Sequence, residues 1–195
     1  IGIALALGAI FGYQAWQQNT IDKKEQASQM FFELTQAATA AQSAGEEDAA
    51  QRSQDVIFLA RNLEESFPKS AYADFARLYQ ARELSLAGNF TEAEQKLSAI
   101  DISAKENEAL ASVVTLRLAR AKAAQEKYDE AISLLNASFE DSFYVLYQEL
   151  KGDILKMKGD RINAKAAYLE ALSKAEQQSQ PTQLLQLKIN DLADV

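Results

Sequence analysis

Three pairs of small residues recur along this chain with a fixed separation, and they constrain its fold more than any other feature. The two members of each pair lie twelve positions apart, and the second members follow one another at intervals of 38 and 33 positions. The pairs are Ala81 with Ala93, Ala119 with Ala131, and Gly152 with Ala164. A helical hairpin needs small side chains where its helices cross, because bulky ones push the two axes beyond about 8–10 Å. The pattern therefore predicts consecutive helical hairpins.

The segments around these pairs resemble the tetratricopeptide repeat, a helical hairpin with a period of about 34 residues. Three stretches align: AGNFTEAEQKLSAI at 87–100, QEKYDEAISLLNAS at 125–138 and KGDRINAKAAYLEA at 158–171. The second stretch departs from the family pattern, because Glu126 stands where the turn glycine is usual. The resemblance covers residues 70–171 well and 20–67 weakly. It implies an all-α solenoid of helical hairpins.

The first thirteen residues, IGIALALGAIFGY, contain no charged and no strongly polar side chain. As a helix they rise about 20 Å, which is less than the roughly 30 Å hydrocarbon core of a bilayer. They are either a transmembrane helix without its first turns or the apolar part of a signal peptide. We favour the transmembrane helix because Tyr13 and Trp16 follow, and such aromatic residues are typical of a membrane interface. The first residue is Ile1 and not Met, so we expect a chain truncated or processed at this end.

The apolar segment also carries three small residues on one helix face, Ala4, Gly8 and Gly12. Small residues four apart allow close packing of helices in lipid, which predicts a packing face here. We expect a single transmembrane anchor, truncated at its N-terminus, at 1–18. The tetratricopeptide-like repeat domain should then occupy 19–195 and end in a C-terminal capping helix. That helix is expected to pack through Leu184, Leu185, Leu187, Ile189 and Leu192.

Composition excludes several classes of protein. The 20 basic and 28 acidic residues give a net charge of −8, which argues against a nucleic-acid partner because phosphates need a basic surface. The chain contains no Cys and no His, so it lacks thiolate metal ligands and the commonest general base near neutral pH. No glycine-rich phosphate loop is found in the sequence. We therefore expect no catalytic residues, no cofactor and no metal site.

In tetratricopeptide proteins the first helix of each hairpin lines a concave surface, and the family register predicts a partner groove here. Nine candidate residues occupy these positions: Phe75, Leu78 and Arg82, then Val113, Leu116 and Arg120, then Leu146, Glu149 and Asp153. A groove with apolar residues and charges of both signs could bind an extended or helical peptide. The alternative is that the leucines belong to the core and the arginines are solvated or ion-paired.

The whole layout resembles the YfgM family, the ancillary subunits of the Sec translocon in Gram-negative bacteria. Three motifs carry the resemblance: TLRLARAKAAQEKYDEAISLL in the middle, LKGDILKMKGDRINAKAAY near the end and LKINDLAD at the close. The best-matching stretches are 115–135, 150–172 and 186–193. The resemblance implies one inner-membrane span in contact with lipid, and a periplasmic repeat domain. It also implies association with Sec translocon subunits and with PpiD, a membrane-anchored periplasmic chaperone, with unfolded client chains as further candidate partners.

Three functions are compatible with these observations. The leading hypothesis is a membrane-tethered interaction scaffold that holds a chaperone or a nascent chain near the translocon exit. A bitopic repeat adaptor in cell-envelope assembly or division would have the same fold, because repeats do not determine their ligand. An enzyme would need a deep pocket with carboxylates of perturbed pKa, and the absence of His and Cys argues against it.

Overall fold

The computed structural model describes the backbone of residues 2–102, 108–136 and 141–192, and side chains in these ranges except at 2–9, 11 and 46. Every regular element within them is a helix, which confirms the predicted all-helical class. The described α-helices are α1 Gly2–Gln42, α2 Glu46–Ser66, α3 Ala71–Leu86, α4 Phe90–Ser98, α5 Glu108–Ala124, α6 Tyr128–Leu135, α7 Tyr144–Lys158, α8 Arg161–Gln177 and α9 Gln183–Asn190. A 3₁₀ turn, Asp141–Phe143, precedes α7.

The chain divides into two compact units, Ile1–Glu83 and Leu84–Val195, and the boundary falls inside α3. In the first unit α1 and α2 pack against each other as a hairpin, over the residues 20–67 that resemble the tetratricopeptide repeat only weakly. Alanines allow the close contact between these helices. The buried residues of this core are Ala27, Leu34, Ala38, Val56, Ala60, Leu63 and Ala76.

The first helix continues without a break from the apolar N-terminal segment into the hairpin. The predicted boundary between residues 18 and 19 therefore falls inside α1 and stays a prediction. The described side chains ahead of Ala27 are exposed, apart from a half-buried Thr20, and Ala27 is the first buried one. Among the described residues, no helix is both long and apolar enough to cross a membrane.

The predicted membrane residues lie on this exposed part of α1. Tyr13 and Trp16 are 62% and 63% exposed, and their ring centroids are 6.0 Å apart. Gly12 is also exposed, and a Cβ built there would meet nothing within 4 Å. Ala4 and Gly8 belong to the residues whose side chains are not described.

The second unit consists of α4 followed by two hairpins, α5–α6 and α7–α8, with α9 packed on α8. In these hairpins the predicted crossing residues Ala119, Ala131, Gly152 and Ala164 are all buried. Leu135 and Tyr168, four positions after the second member of each pair, are buried as well. Both hairpins are therefore confirmed with the predicted crossing points.

The same turn recurs at the ends of α3, α5 and α7. Gly88, Glu126 and Gly159 adopt left-handed φ angles of +80°, +62° and +90°. In each case the next residue donates its N–H to the carbonyl five positions earlier, at 2.8, 3.0 and 2.9 Å. This is the hydrogen bond of a Schellman C-cap, for which glycine is favoured because it has no Cβ. Glu126 thus preserves the turn, but with the backbone strain of a non-glycine residue.

The C-terminal helix packs through only part of its apolar set. Leu185 and Leu192 are buried, but Leu184 and Leu187 are 58% and 66% exposed. The expectation that all five apolar residues pack is therefore wrong for these two leucines. A helix that rests on a single neighbour buries one face, and residues 185, 189 and 192 share that face at helical spacing.

We expect Gly152→Ala to lower the free energy of unfolding by about 1–3 kcal/mol, because it overpacks a close helix crossing. A Cβ at this position would lie 2.5 Å from Cδ1 of Tyr168. The ring cannot easily move, since it is 1% exposed and its hydroxyl donates to Asp153 at 2.8 Å. Urea unfolding of the full chain measures the effect, with Gly12→Ala as the helical control that meets no neighbour. Equal stability of the two variants would refute the crossing point.

We expect Glu126→Gly to raise the free energy of unfolding by about 1 kcal/mol, because glycine adopts the left-handed conformation without a steric penalty. The matched control is Ala166→Gly, at an exposed position within α8, which should lower stability by about 0.5–1 kcal/mol. Thermal and urea unfolding of both variants provide the comparison. A loss of stability in Glu126→Gly would show that the side chain, and not the backbone, maintains this turn.

Candidate partner-binding surface

In the first unit an aromatic cluster joins α1 to α3. Tyr72, Phe75 and Tyr79 follow one another along α3 at intervals of three and four residues, which places them on one face. Their ring centroids lie 5.1, 5.7 and 6.5 Å from that of Phe31 on α1. Phe75 is 38% exposed, and the other three rings are half-buried. We call Phe31, Tyr72, Phe75 and Tyr79 the α3 aromatic surface.

The charged residues beside this surface are paired with one another. Arg77 donates to Glu64 at 3.0 Å and to Asp74 at 2.7 Å. Gln80 donates to the second oxygen of Glu64 at 2.8 Å. These contacts tie α2 to α3, and because one arginine faces two carboxylates the cluster keeps a net charge of −1.

The three groove residues predicted on α3 have different environments. Phe75 is part of the α3 aromatic surface, whereas Leu78 is only 7% exposed and offers little area to a partner. Arg82 is partly exposed and forms an ion pair with the buried carboxylate of Glu83. Of these three residues, Phe75 therefore supplies most of the apolar area that solvent can reach.

On α5 the three predicted groove residues differ in their exposure to solvent. Leu116 is 4% exposed and belongs to the core between the α5–α6 and α7–α8 hairpins. Val113 is half-buried and Arg120 is exposed. Arg120 is thus the member of this set that a partner can reach.

On α7 the predicted acidic residues already have a ligand within the chain. The ammonium group of Lys188, on α9, lies 2.7 Å from Glu149 and 2.7 Å from Asp153. It also lies 5.6 Å from the centroid of the Tyr168 ring. Leu146, the third predicted residue on α7, remains 44% exposed. The C-terminal helix therefore places one positive charge between two carboxylates and leaves this cluster with a net charge of −1.

The protonation states fit this arrangement. Burial alone would lower the pKa of Lys188, but its hydrogen bonds to Asp153 and Glu149 outweigh burial and raise the pKa. Burial and the carboxylate of Asp153 raise the pKa of the Tyr168 hydroxyl. Lys188 is therefore a cation and Tyr168 a neutral donor throughout the physiological pH range.

A second ionic cluster connects α4, α5 and α6. Glu94 accepts hydrogen bonds from Lys122 at 2.6 Å, from Lys127 at 3.0 Å and from Gln125 at 2.7 Å. Lys122 also donates to Glu130 at 2.7 Å. The hydrogen bond from Lys122, helped by those from Lys127 and Gln125, outweighs burial and lowers the pKa of Glu94 from 4.5 to about 2. This cluster holds α4, α5 and α6 together.

The described ranges contain no group of three or more His, Cys, Asp or Glu that could hold a metal ion. One open depression of about 270 Å³ lies between the 3₁₀ turn, α7 and α8. Its lysine, Lys174, is paired with Asp141 at 2.7 Å. Glu170 also lines the depression and accepts a hydrogen bond from the hydroxyl of Tyr144 at 3.3 Å.

Several residues of these clusters are absent from the sequence-based prediction. The spacing of Tyr72, Phe75 and Tyr79 is visible in the sequence, but their contact with Phe31 requires the packing of α3 on α1. The role of Lys188 depends on where α9 lies, 35 to 39 positions after its two carboxylate partners. A search for neighbours that are close in sequence misses both contacts.

Stacked hairpins with small residues at their crossings define this chain as a tetratricopeptide-like helical protein. The model of the tetratricopeptide repeat-like domain family matches residues 1–194. The chain is 30% identical to the ancillary SecYEG translocon subunit of Haemophilus influenzae over 98% of its own length and 87% of that protein. It is 27% identical to the protein of the same name in Escherichia coli K12, over 99% and 87%. The chain therefore belongs to the family of ancillary SecYEG translocon subunits, which confirms the resemblance to the YfgM family.

We expect Glu94→Gln to lower the free energy of unfolding at pH 7 by about 1–3 kcal/mol. Because the folded-state pKa of Glu94 is below its unfolded value, its stabilisation is complete above about pH 5 and is lost as the pH falls toward 2. The difference between wild type and variant should shrink accordingly. Urea unfolding at pH 7, 5 and 3 measures it, with Glu92→Gln, an exposed carboxylate on the same helix, as the control. A difference independent of pH would contradict the assigned role.

Proposed function

We propose that this chain is a membrane-anchored, non-catalytic scaffold that associates with the SecYEG translocon. The observation that carries the proposal is its similarity, over nearly its whole length, to proteins named ancillary SecYEG translocon subunits. The tetratricopeptide-like hairpins support a role in binding, because stacked helices of this kind present extended surfaces to other proteins.

The anchor in this proposal is the N-terminal part of α1, residues 1–18. Its exposed Ile10, Tyr13 and Trp16 are suited to lipid and to the membrane interface. Ala4, Gly8 and Gly12 would form the face that packs against another transmembrane helix. We place this segment in the bacterial inner membrane as a single pass.

The repeat domain in this proposal is periplasmic and cooperates with a PpiD-type chaperone on newly translocated proteins. The exposed Arg120 on α5 and the α3 aromatic surface are candidate contact sites. An anchor raises the effective concentration of such a domain near its partners, so weak individual contacts suffice. We do not assign the chaperone contact to α7, because Glu149 and Asp153 already bind Lys188 of the same chain.

We expect site-specific photocrosslinking in bacterial membranes to identify these partners. Benzoylphenylalanine at position 13 should give products with a SecYEG subunit, and at position 120 with a periplasmic chaperone. Position 69, an exposed site between α2 and α3, is the matched control and should give neither. Products with envelope-assembly or division proteins, in place of translocon subunits, would overturn the proposed function.

A further inference from the structure

Three exposed apolar side chains recur along α1 at intervals of eleven residues. Ile10, Ile21 and Phe32 are 52%, 41% and 60% exposed. Eleven residues correspond to three helical turns and about 20° of further rotation, so the three side chains lie on one face of the helix. Ala27 and Leu34, which pack in the core of the first unit, lie about 120° around the helix from this face. An exposed apolar face therefore runs beside the packed one.

The positions between these residues on the same face carry no charge. We call this face, an arc of about 60° at helical rotation, the α1 seam. It consists of Ile10, Gln14, Gln17, Ile21, Ser28, Phe32, Thr35 and Thr39. Thr35 is half-buried, and the other members are exposed.

The two threonines of the α1 seam already use their hydroxyl protons within the helix. Thr35 donates to the carbonyl of Phe32 at 2.8 Å, and Thr39 donates to the carbonyl of Thr35 at 2.9 Å. A second helix that covered them would therefore leave neither hydroxyl as an unsatisfied donor, which is the main cost of burying such groups. The α1 seam thus suits burial against another helix.

The course of α1 determines how a second copy of the chain would meet the α1 seam. From Ile10 to Thr39 the helix rises about 43 Å, at ~1.5 Å per residue. If residues 1–18 are an anchor, the α1 helices of two copies leave the membrane in the same direction and run parallel. Around a two-fold axis, identical residues of the two seams then face each other. Because a charged residue there would meet its own like charge, an uncharged seam is what such a contact requires.

Two residues of opposite charge border the α1 seam. At helical rotation Lys24 lies about 20° beyond one edge of the seam, and Glu25 lies about 20° beyond the other. Both side chains are exposed. In a parallel helix pair each flank faces the opposite flank of the other helix. Lys24 of one copy therefore meets Glu25 of the other at nearly the same height, and two-fold symmetry gives this ion pair twice. The flanks thus complement those of a second copy.

We propose that the α1 seam binds the α1 seam of a second copy of this chain and forms a parallel, two-fold dimer. This inference rests on the proposed function, because the proposed anchor gives both helices one direction and raises their effective concentration. Outside the anchor, Ile21 and Phe32 supply the apolar contact, and Lys24 with Glu25 fixes the register.

Disulfide crosslinking tests the dimer directly, because the sequence contains no Cys. Ser28→Cys places one thiol on the α1 seam. Gln26→Cys is the matched control, since Gln26 is equally exposed and lies two residues away on the opposite side of the helix. The full chain carrying either cysteine is oxidised with copper phenanthroline in bacterial membranes, and mass spectrometry identifies the products. A disulfide requires Cα atoms within about 7 Å, so we expect a disulfide between two copies at position 28 and not at position 26.

Further substitutions in the Ser28→Cys chain test the contacts. Lys24→Glu should reduce the disulfide about threefold or more, because it replaces both ion pairs by repulsion, and adding Glu25→Lys should restore it. Phe32→Ser should reduce the disulfide about tenfold, as loss of a central aromatic contact does. Phe58→Ser, which removes a 62% exposed ring on α2, should leave it within about twofold. Thermal unfolding of each variant separates loss of contact from loss of fold.

Three results would overturn the dimer. The first is equal disulfide formation at positions 26 and 28. The second is a product of position 28 with a different protein and none with a second copy, which would assign the α1 seam to that protein. The third is failure of the double charge exchange to restore the disulfide in a chain that remains folded, since the parallel register requires this pair.

Co-purification with SecYEG separates this inference from the proposed function. Lys24→Glu should still retain translocon subunits, because the proposed anchor packs through another side of α1, at Ala4, Gly8 and Gly12. Failure of the unsubstituted chain to retain SecYEG would overturn the proposed function, whereas a disulfide at position 28 would still support the dimer. Retention of SecYEG without a disulfide at position 28 would overturn only the dimer.

Discussion

Close approach of two helices at a residue without a bulky side chain is the constraint on which the rest of the second unit depends. Gly152 leaves the space that the Tyr168 ring fills. The ring places its hydroxyl 2.8 Å from Asp153, and Asp153 in turn binds Lys188 on α9. The position of the C-terminal helix thus follows from a missing Cβ in α7. In the first unit, alanines such as Ala38 and Ala60 allow α1 and α2 the same close contact.

Ion pairs between lysines and carboxylates connect neighbouring helices. The chain carries a net charge of −8, and two lysines at helix junctions each contact two carboxylates. Lys122 binds Glu94 and Glu130, and Lys188 binds Glu149 and Asp153. These pairs stabilise the helix junctions of the second unit.

The repeat, its crossing points and its turns could be read from the sequence because each depends on local spacing. The sequence shows that Glu126 replaces the turn glycine of the repeat pattern. Only the φ angle of +62° at Glu126 shows that the turn still forms. Contacts between distant elements could not be predicted in this way. Phe31 precedes its aromatic partners by 41 to 48 positions, and helical periodicity does not say which helix an apolar face meets. The same ambiguity explains why Leu184 and Leu187 were expected to pack but lie exposed.

The unbroken course of α1 has a mechanical consequence. Its 41 residues form one continuous helix that enters the first hairpin directly. The proposed anchor is therefore joined to the first hairpin by unbroken helix and not by a flexible linker. A helix advances about 1.5 Å and turns about 100° per residue. In the proposed arrangement, the orientation of the first unit about the membrane normal would follow that of the anchor, and the number of residues between Trp16 and Ala27 would set which side of the first unit faces the translocon.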